Sequence, residues 1–119
     1  MKKIGFIGAG NMGGALATAV SKTDNAVSVC CAHKENAEAL ATRIGADVAT
    51  ACEIANDCDI IFLGVKPHIL PVVADEIKAT LAKRDNVCLV SMAAGVTFSR
   101  LREMFGDLSM IRIMPNTPV

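Results

Sequence analysis

Six residues near the start of the chain limit what it can fold into more than anything that follows. Gly8-Ala9-Gly10-Asn11-Met12-Gly13 comes directly after the apolar run Ile4-Gly5-Phe6-Ile7 and opens a stretch, Met12 to Val20, whose apolar residues recur at helical spacing. The order is strand, glycine turn, helix. Gly8 permits the tight turn, Gly10 lets a pyrophosphate approach the backbone where a Cβ would stand in the way, and Gly13 lets the helix lie close on the strand. The free N–H groups at the start of that helix, with the positive end of its dipole, suit an anion. Gly8, Gly10, Asn11, Met12 and Gly13 are therefore expected to seat the pyrophosphate of a dinucleotide. A glycine-rich turn of purely structural purpose is the plain alternative, and the position between a strand and a helix counts against it.

The rest of the chain repeats the alternation. Strand patterns cover Lys3 to Ile7, Ala26 to Cys31, Asp47 to Ala49, Ile60 to Leu63, Val87 to Ser91 and Met110 to Met114. Helical patterns cover Asn11 to Ser21, Glu35 to Arg43, a short piece around Cys52 to Asn56, Pro71 to about Leu81, and the segment from Thr97 to Phe105. Val73, Ile77 and Leu81 stand at i, i+4, i+8 and predict one buried stripe, with Pro71 in the first turn where its missing N–H costs nothing. Thr97 is placed to cap the last helix and Gly106 to stop it. The unbroken apolar run Ile60-Ile61-Phe62-Leu63 predicts a central strand covered on both faces. Six strands with intervening helices imply an α/β fold of the Rossmann type, a doubly wound, mainly parallel sheet with helices on both faces. Ligands on such sheets sit outside the carboxyl ends of the strands. The segments Gly8 to Gly13, Ala32 to Lys34, Gly64 to Pro67, Ala93 to Gly95 and Pro115 to Thr117 all follow strand ends, so one crevice should gather them.

With 119 residues, of which 52% are hydrophobic, one packed domain spanning 1–119 is expected. Twelve basic and twelve acidic side chains cancel and are scattered, which gives no footprint for nucleic acid or an anionic membrane and favours a small-molecule partner. The longest apolar runs are of strand length and the chain moves straight into its first strand. Neither a signal peptide nor a membrane span is expected, and the setting is read as cytoplasmic. Cys30, Cys31, Cys52, Cys58 and Cys88 form no C-x-x-C pair; they read as reduced, packing cysteines, with no metal site. Asp24, Asp57, Asp59, Asp75 and Glu76 show no ligand spacing and read as a solvated surface, with Asp57 or Asp59 near a strand entrance. His68 reads as a surface residue, since nothing suggests a triad.

The end of the second strand carries the choice of cofactor. An NAD site wants an acidic residue about 20 residues beyond the glycines, where it accepts from the ribose 2′-hydroxyl and repels a 2′-phosphate. Here the strand runs Cys30-Cys31-Ala32-His33-Lys34, and Glu35 lies inside the next helix. His33 and Lys34 are read as partners of the 2′-phosphate of NADP(H), with NAD(H) left open and a merely solvated helix start as the alternative. Gly64-Val65-Lys66-Pro67 leaves the central strand at the crevice, where the backbone and the Lys66 ammonium can meet ribose and phosphate.

In this order and spacing, Gly8-Ala9-Gly10-Asn11-Met12-Gly13, Val65-Lys66-Pro67, Ala93-Ala94-Gly95-Val96-Thr97 and Met114-Pro115-Asn116-Thr117-Pro118 resemble the N-terminal domain of the pyrroline-5-carboxylate reductases. The resemblance covers the whole chain. It implies a Rossmann domain holding NAD(P)H, followed in the family by a helical domain that builds the dimer and most of the imino-acid site. That second domain has no counterpart here, and Asn116-Thr117-Pro118-Val119 ends on a loop signal, so a piece of a longer, homo-oligomeric protein is expected. Carried onto this chain, the resemblance places the cofactor against the Gly8 to Gly13 loop, the His33 and Lys34 region, Val65, Lys66 and Pro67, and Ala93 and Ala94. Met114, Pro115 and Asn116 would lie beside the nicotinamide. It implies no catalytic acid or base within these residues, and hydride transfer to the C=N bond of 1-pyrroline-5-carboxylate to give L-proline. A stand-alone nucleotide-binding module, and a related NADP oxidoreductase of the 3-hydroxyacid or F420-dependent type, remain the alternatives.

Overall fold

The computed structural model of the chain describes residues 2–8, 17–23, 25–31, 34–93 and 95–113. Its strands are β1 (Lys3–Ile7), β2 (Ala26–Cys30), β3 (Asp47–Val48), β4 (Ile60–Leu63), β5 (Cys88–Ser91) and β6 (Ser109–Arg112). All pair in parallel, in the order β3-β2-β1-β4-β5-β6. Residues 17–21 are helical, and the named helices are α1 (Lys34–Ile44), α2 (Ala51–Asp57), α3 (Leu70–Leu81) and α4 (Phe98–Phe105), with a 3-10 turn at Pro67–Ile69 before α3. This is the expected doubly wound sheet, and its strand order reverses between β1 and β4.

Two apolar clusters, one on each face, hold the sheet. Ile4 and Phe6 of β1 pack with Val27 and Val29 of β2 and with Ala37, Leu40 and Ala41 of α1. On the other face Ile7, Ile61, Leu63 and Leu89 meet α2, α3 and α4 through Ile54, Leu70, Ile77, Leu81, Leu101 and Phe105. Alternate residues of β1 and β4 serve opposite clusters, as the two-residue period of a strand requires. The stripe read from the sequence is real: Val73, Ile77 and Leu81 are all buried, and each such side chain withdrawn from water contributes about 1.5–3 kcal/mol. Phe6 and Phe62, partners in the β1–β4 register, stack with ring centroids 4.6 Å apart.

Helix ends follow local chemistry. Thr97 caps α4, its side chain accepting from the Arg100 N–H at 3.2 Å, and Gly106 closes the helix at a φ of +98°. At α2 a full capping box forms: Thr50 Oγ1 accepts from the Glu53 N–H at 3.1 Å, and Glu53 Oε1 accepts from the Thr50 N–H at 3.0 Å. Its spacing, Thr-x-x-Glu, stands in the sequence and marks the start of a helix that patterning alone placed loosely around Cys52.

Some expectations change. β4 is covered on both faces but unevenly: Ile61 and Leu63 are fully buried, whereas Ile60 and Phe62, on the opposite face, pack against the other cluster and stay part-exposed. The last strand begins at Ser109 rather than Met110, because Ser109 pairs with Cys88 at the start of β5. Its expected end at Met114 lies outside the described residues. The cysteines are all free, but they do not form one class: Cys58 is buried, Cys30, Cys31 and Cys88 are half-buried, and Cys52 is exposed, so packing does not account for Cys52. Burial pushes the Cys58 thiol up to about 11, with the charges of Asp57 and Asp59 adding to it. No helix among the described residues is long and apolar enough to cross a membrane.

Candidate functional site

The carboxyl ends of the strands are tied to one another in sequence across the sheet. The Gly8 N–H donates to the Cys30 carbonyl at 2.7 Å, Gly64 to Ile7 at 2.8 Å, Met92 to Leu63 at 3.1 Å and Ile113 to Ser91 at 2.9 Å. These bonds carry the ladders one step past the last strand residues and deliver Gly8, Gly64, Met92 and Ile113 to the same edge of the sheet. The loops after β1, β4 and β5 therefore start on one edge of the sheet.

At the reversal point the backbones close up. Gly8 has a φ of +80°, and a Cβ there would meet the Val65 side chain and stand 3.0 Å from the Gly64 carbonyl. A Cβ on Gly64 would in turn meet the Gly8 carbonyl oxygen and stand 2.8 Å from Met92 Cε. Glycine at 8 therefore answers both a left-handed conformation and a lack of space, and glycine at 64 answers the lack of space alone. The motif marks the turn at Gly8, whereas nothing in the sequence marks Gly64 as a close-packing glycine; its neighbour here is Gly8 itself.

The remaining expected contacts fall as follows. Val65 is half-buried beside Gly8, while Lys66 and Pro67 are exposed where the chain turns from β4 into the 3-10 turn. His68 is exposed on that turn. Ala93 is buried, and its N–H donates to Oγ of Ser91 at 3.3 Å. Lys34 opens α1. Gly10, Asn11, Met12, Gly13, His33, Ala94, Met114, Pro115 and Asn116 lie outside the described residues. Beyond β5, Arg112 at the end of β6 places its guanidinium carbon 5.6 Å from the ring centroid of Phe98, which fixes the last strand against the start of α4.

A cavity of about 430 Å3 opens beside the ends of β2 and β3, in the size range of small-ligand sites. Cys30, Cys31, Ala49, Thr50, Glu53 and Glu76 are among the residues that line it. It lies outside the carboxyl ends of β2 and β3, the side on which doubly wound sheets bind their ligands. The fit to a dinucleotide is thus a matter of shape: a left-handed glycine at the end of β1, two backbones in contact at the reversal point, and an open cavity one strand away. The sequence reading missed Glu53 and Glu76 as lining residues. A charge on a helix is ordinary, and only the packing of α2 beside β2 and of α3 beside α2 brings the two to one wall.

At the far end of the sheet, away from the crevice, Arg84 Nη1 donates to the Ala55 and Asn56 carbonyls, each at 2.8 Å, and Nη2 lies 3.8 Å from Asp59 Oδ1. Asp59 Oδ2 accepts from the Lys3 N–H at 3.1 Å. The aspartate read as solvated near a strand entrance is therefore a structural tie between β1 and the turn before β4.

Residues 3–95 match the family model described as NADP oxidoreductase coenzyme F420-dependent. The chain is 42% identical over 98% of its length to the pyrroline-5-carboxylate reductase of Escherichia coli, and it covers 45% of that protein. Among solved structures it is similar to a pyrroline-5-carboxylate reductase from Coxiella burnetii, at a TM-score of 0.84 and 30% identity, covering 98% of this chain and 45% of that one. It is also similar to the Plasmodium falciparum pyrroline carboxylate reductase solved with NADP bound, at a TM-score of 0.77 and 31% identity, covering 98% of this chain and 43% of that one. The chain thus spans less than half the length of the relatives it matches.

Proposed function

The chain belongs to the NADP oxidoreductase, coenzyme F420-dependent family, and from that premise we propose that it is the cofactor-binding part of a reductase that converts 1-pyrroline-5-carboxylate to L-proline. The observation that carries this reading is the 42% identity, across nearly the whole chain, to a protein of that activity. When bound, the nicotinamide cofactor supplies the hydride for the C=N carbon. What this chain contributes is position. The Gly8 turn brings the end of β1 against Gly64, and the segment from Gly8 to Gly13 seats the pyrophosphate with backbone N–H groups. Val65, Lys66 and Pro67 border the ribose and phosphates, Ala93 and Ala94 also contact the cofactor, and Met114, Pro115 and Asn116 lie beside the nicotinamide.

The cofactor in this reading is NADP(H) in preference to NAD(H). The end of β2 offers no carboxylate against a 2′-phosphate, and His33 and Lys34 follow it. No side chain of this chain is assigned a proton-transfer role; in this reading the imino-acid site and the dimer are built by residues beyond Val119, in a cytoplasmic, homo-oligomeric enzyme. The test is an assay of the natural protein that contains this chain, following NADPH oxidation with 1-pyrroline-5-carboxylate and, in parallel, with 3-hydroxyacids and NADP. Proline formation with no turnover of the hydroxyacids is expected. Hydroxyacid oxidation without proline formation would move the protein to another reductase of this family.

A further inference from the structure

Two carboxylates stand on the wall of the cavity beside β2, and they are not equivalent. Glu53 is held by its own helix, its Oε1 bonded to the Thr50 N–H at 3.0 Å in the capping box. Glu76 comes from the middle of α3, and no ion pair among the described residues engages it. Its main chain is tied to the start of α2, where Cys52 Sγ donates to the Glu76 carbonyl at 3.4 Å. Its charge reaches the end of β2. Glu76 and Cys30, the last residue of β2, line the same cavity, and burial first, then the charges of Cys31 and Glu76, push the Cys30 thiol up.

The end of β2 is where nicotinamide-binding folds place the acidic group that reads the ribose 2′ position, and in this sequence that position is vacant. We propose that Glu76 supplies from α3 the negative charge that the end of β2 lacks, and that by opposing a 2′-phosphate across the cavity it sets the balance between NADPH and NADH. The inference rests on the cofactor reading above and refines it: in that reading Lys34 draws a 2′-phosphate, and Glu76, on the cavity wall, restrains the preference. A phosphate monoester carries close to two negative charges at neutral pH, so the repulsion falls on NADPH and leaves NADH nearly untouched. The carboxylate is exposed and the cavity is open to water, so screening holds the effect to about three- to tenfold in affinity at low salt.

The test is calorimetric titration of NADPH and of NADH into the 119-residue chain and into Glu76→Gln, Glu76→Lys and Asp75→Asn. Asp75 is exposed, adjacent in sequence and absent from the cavity wall, so it reports bulk charge. Glutamine is a good helix former, and the exposed site asks nothing else of it. Glu76→Gln should tighten NADPH about fivefold with NADH little changed, Glu76→Lys should tighten it further, and both gains should shrink as salt is raised. Asp75→Asn should leave the NADPH to NADH ratio where it was. Equal shifts for the two cofactors, no shift, weaker NADPH binding, or an Asp75→Asn effect as large as that of Glu76→Gln would overturn the proposal. If the wild-type chain binds neither cofactor, the cofactor reading itself falls and takes this inference with it.

Discussion

Gly64 and Gly8 are in contact through their backbones: a Cβ on Gly64 would meet the Gly8 carbonyl oxygen, and one on Gly8 would stand 3.0 Å from the Gly64 carbonyl. The contact joins the ends of β1 and β4, the two strands between which the sheet reverses its order. The obstacle at Gly64 is backbone rather than the end of a flexible side chain, so it cannot be relieved by a rotamer change.

Gly64→Ala should therefore destabilise the chain by about 1–3 kcal/mol, the usual cost of forcing a methyl into packed structure. Gly64 does not have a positive φ, so strain of conformation plays no part in this. Urea unfolding of the variant beside the wild type measures the loss. A variant as stable as the wild type would show that β1 and β4 can separate at this point freely.

Arg84 lies at the opposite end of the sheet and closes α2 from outside it. Its guanidinium satisfies two carbonyls of the last turn, at Ala55 and Asn56, with a charge that also suits the negative end of the helix. Arg84→Ala should cost about 1–3 kcal/mol, the range for hydrogen bonds made by a charged group, and Arg84→Lys should recover only part of it because an ammonium lacks the planar fork. The contact with Asp59, at 3.8 Å and partly exposed, contributes little. Denaturation midpoints of the two variants decide the matter; a neutral Arg84→Ala would assign these bonds no weight.

Cys58 predicts the alkaline behaviour. Its thiol, with an ordinary value of 9.0, is raised to about 11 in the folded chain, first by burial and then by Asp57 and Asp59. Between these values the unfolded chain has lost the proton and the folded chain keeps it, so the stabilisation is whole below pH 9 and is lost as pH rises through 11. The loss amounts to about 3 kcal/mol at most. Stability measured from neutral pH upward should fall over that window in the wild type and fall less in Cys58→Ala. Parallel curves would remove Cys58 as the cause. Thiol labelling gives an independent check, since the exposed Cys52 should react before unfolding and Cys58 only with it.

Much of this architecture is legible in the sequence because its causes are local. β1 and β4 fall on the expected residues, since each is an apolar run bounded by a glycine or a turn. The α3 stripe and the Thr97 cap depend on spacings of three and four residues, which any reader of the chain can see. What escaped is tertiary. Arg84 meets carbonyls nearly thirty positions earlier in the chain, and Glu76 shares a cavity wall with the end of β2 only because α3 packs on α2. The bounds of β6 escaped for the same reason: a strand starts and stops where its neighbour offers partners, and Cys88–Ser91 offers four. At the site, the glycine turn announced itself through its motif, whereas the tight fit of Gly64 on Gly8 has no signature beyond a glycine after an apolar run.

Lys34 gives the prediction on cofactor choice from the attractive side. A charge-assisted bond to a 2′-phosphate contributes about 1.5–3 kcal/mol, which at the low end is about tenfold in affinity. Lys34→Ala should weaken NADPH by about that factor and leave NADH nearly as it was. Equal losses for both cofactors, or an initial preference for NADH, would mean that the residues after β2 do not read the 2′ position.

The most direct measurement is NADPH binding by the chain and by Gly10→Val, with circular dichroism recorded on both. Gly10 is assigned to the approach of the pyrophosphate and to nothing in the core, so a side chain there should obstruct the ligand and spare the fold. The account predicts one NADPH bound per chain, a loss of at least about tenfold in affinity in Gly10→Val, and superimposable spectra. Unchanged affinity in a folded Gly10→Val variant would contradict the assignment of this loop as the seat of the cofactor.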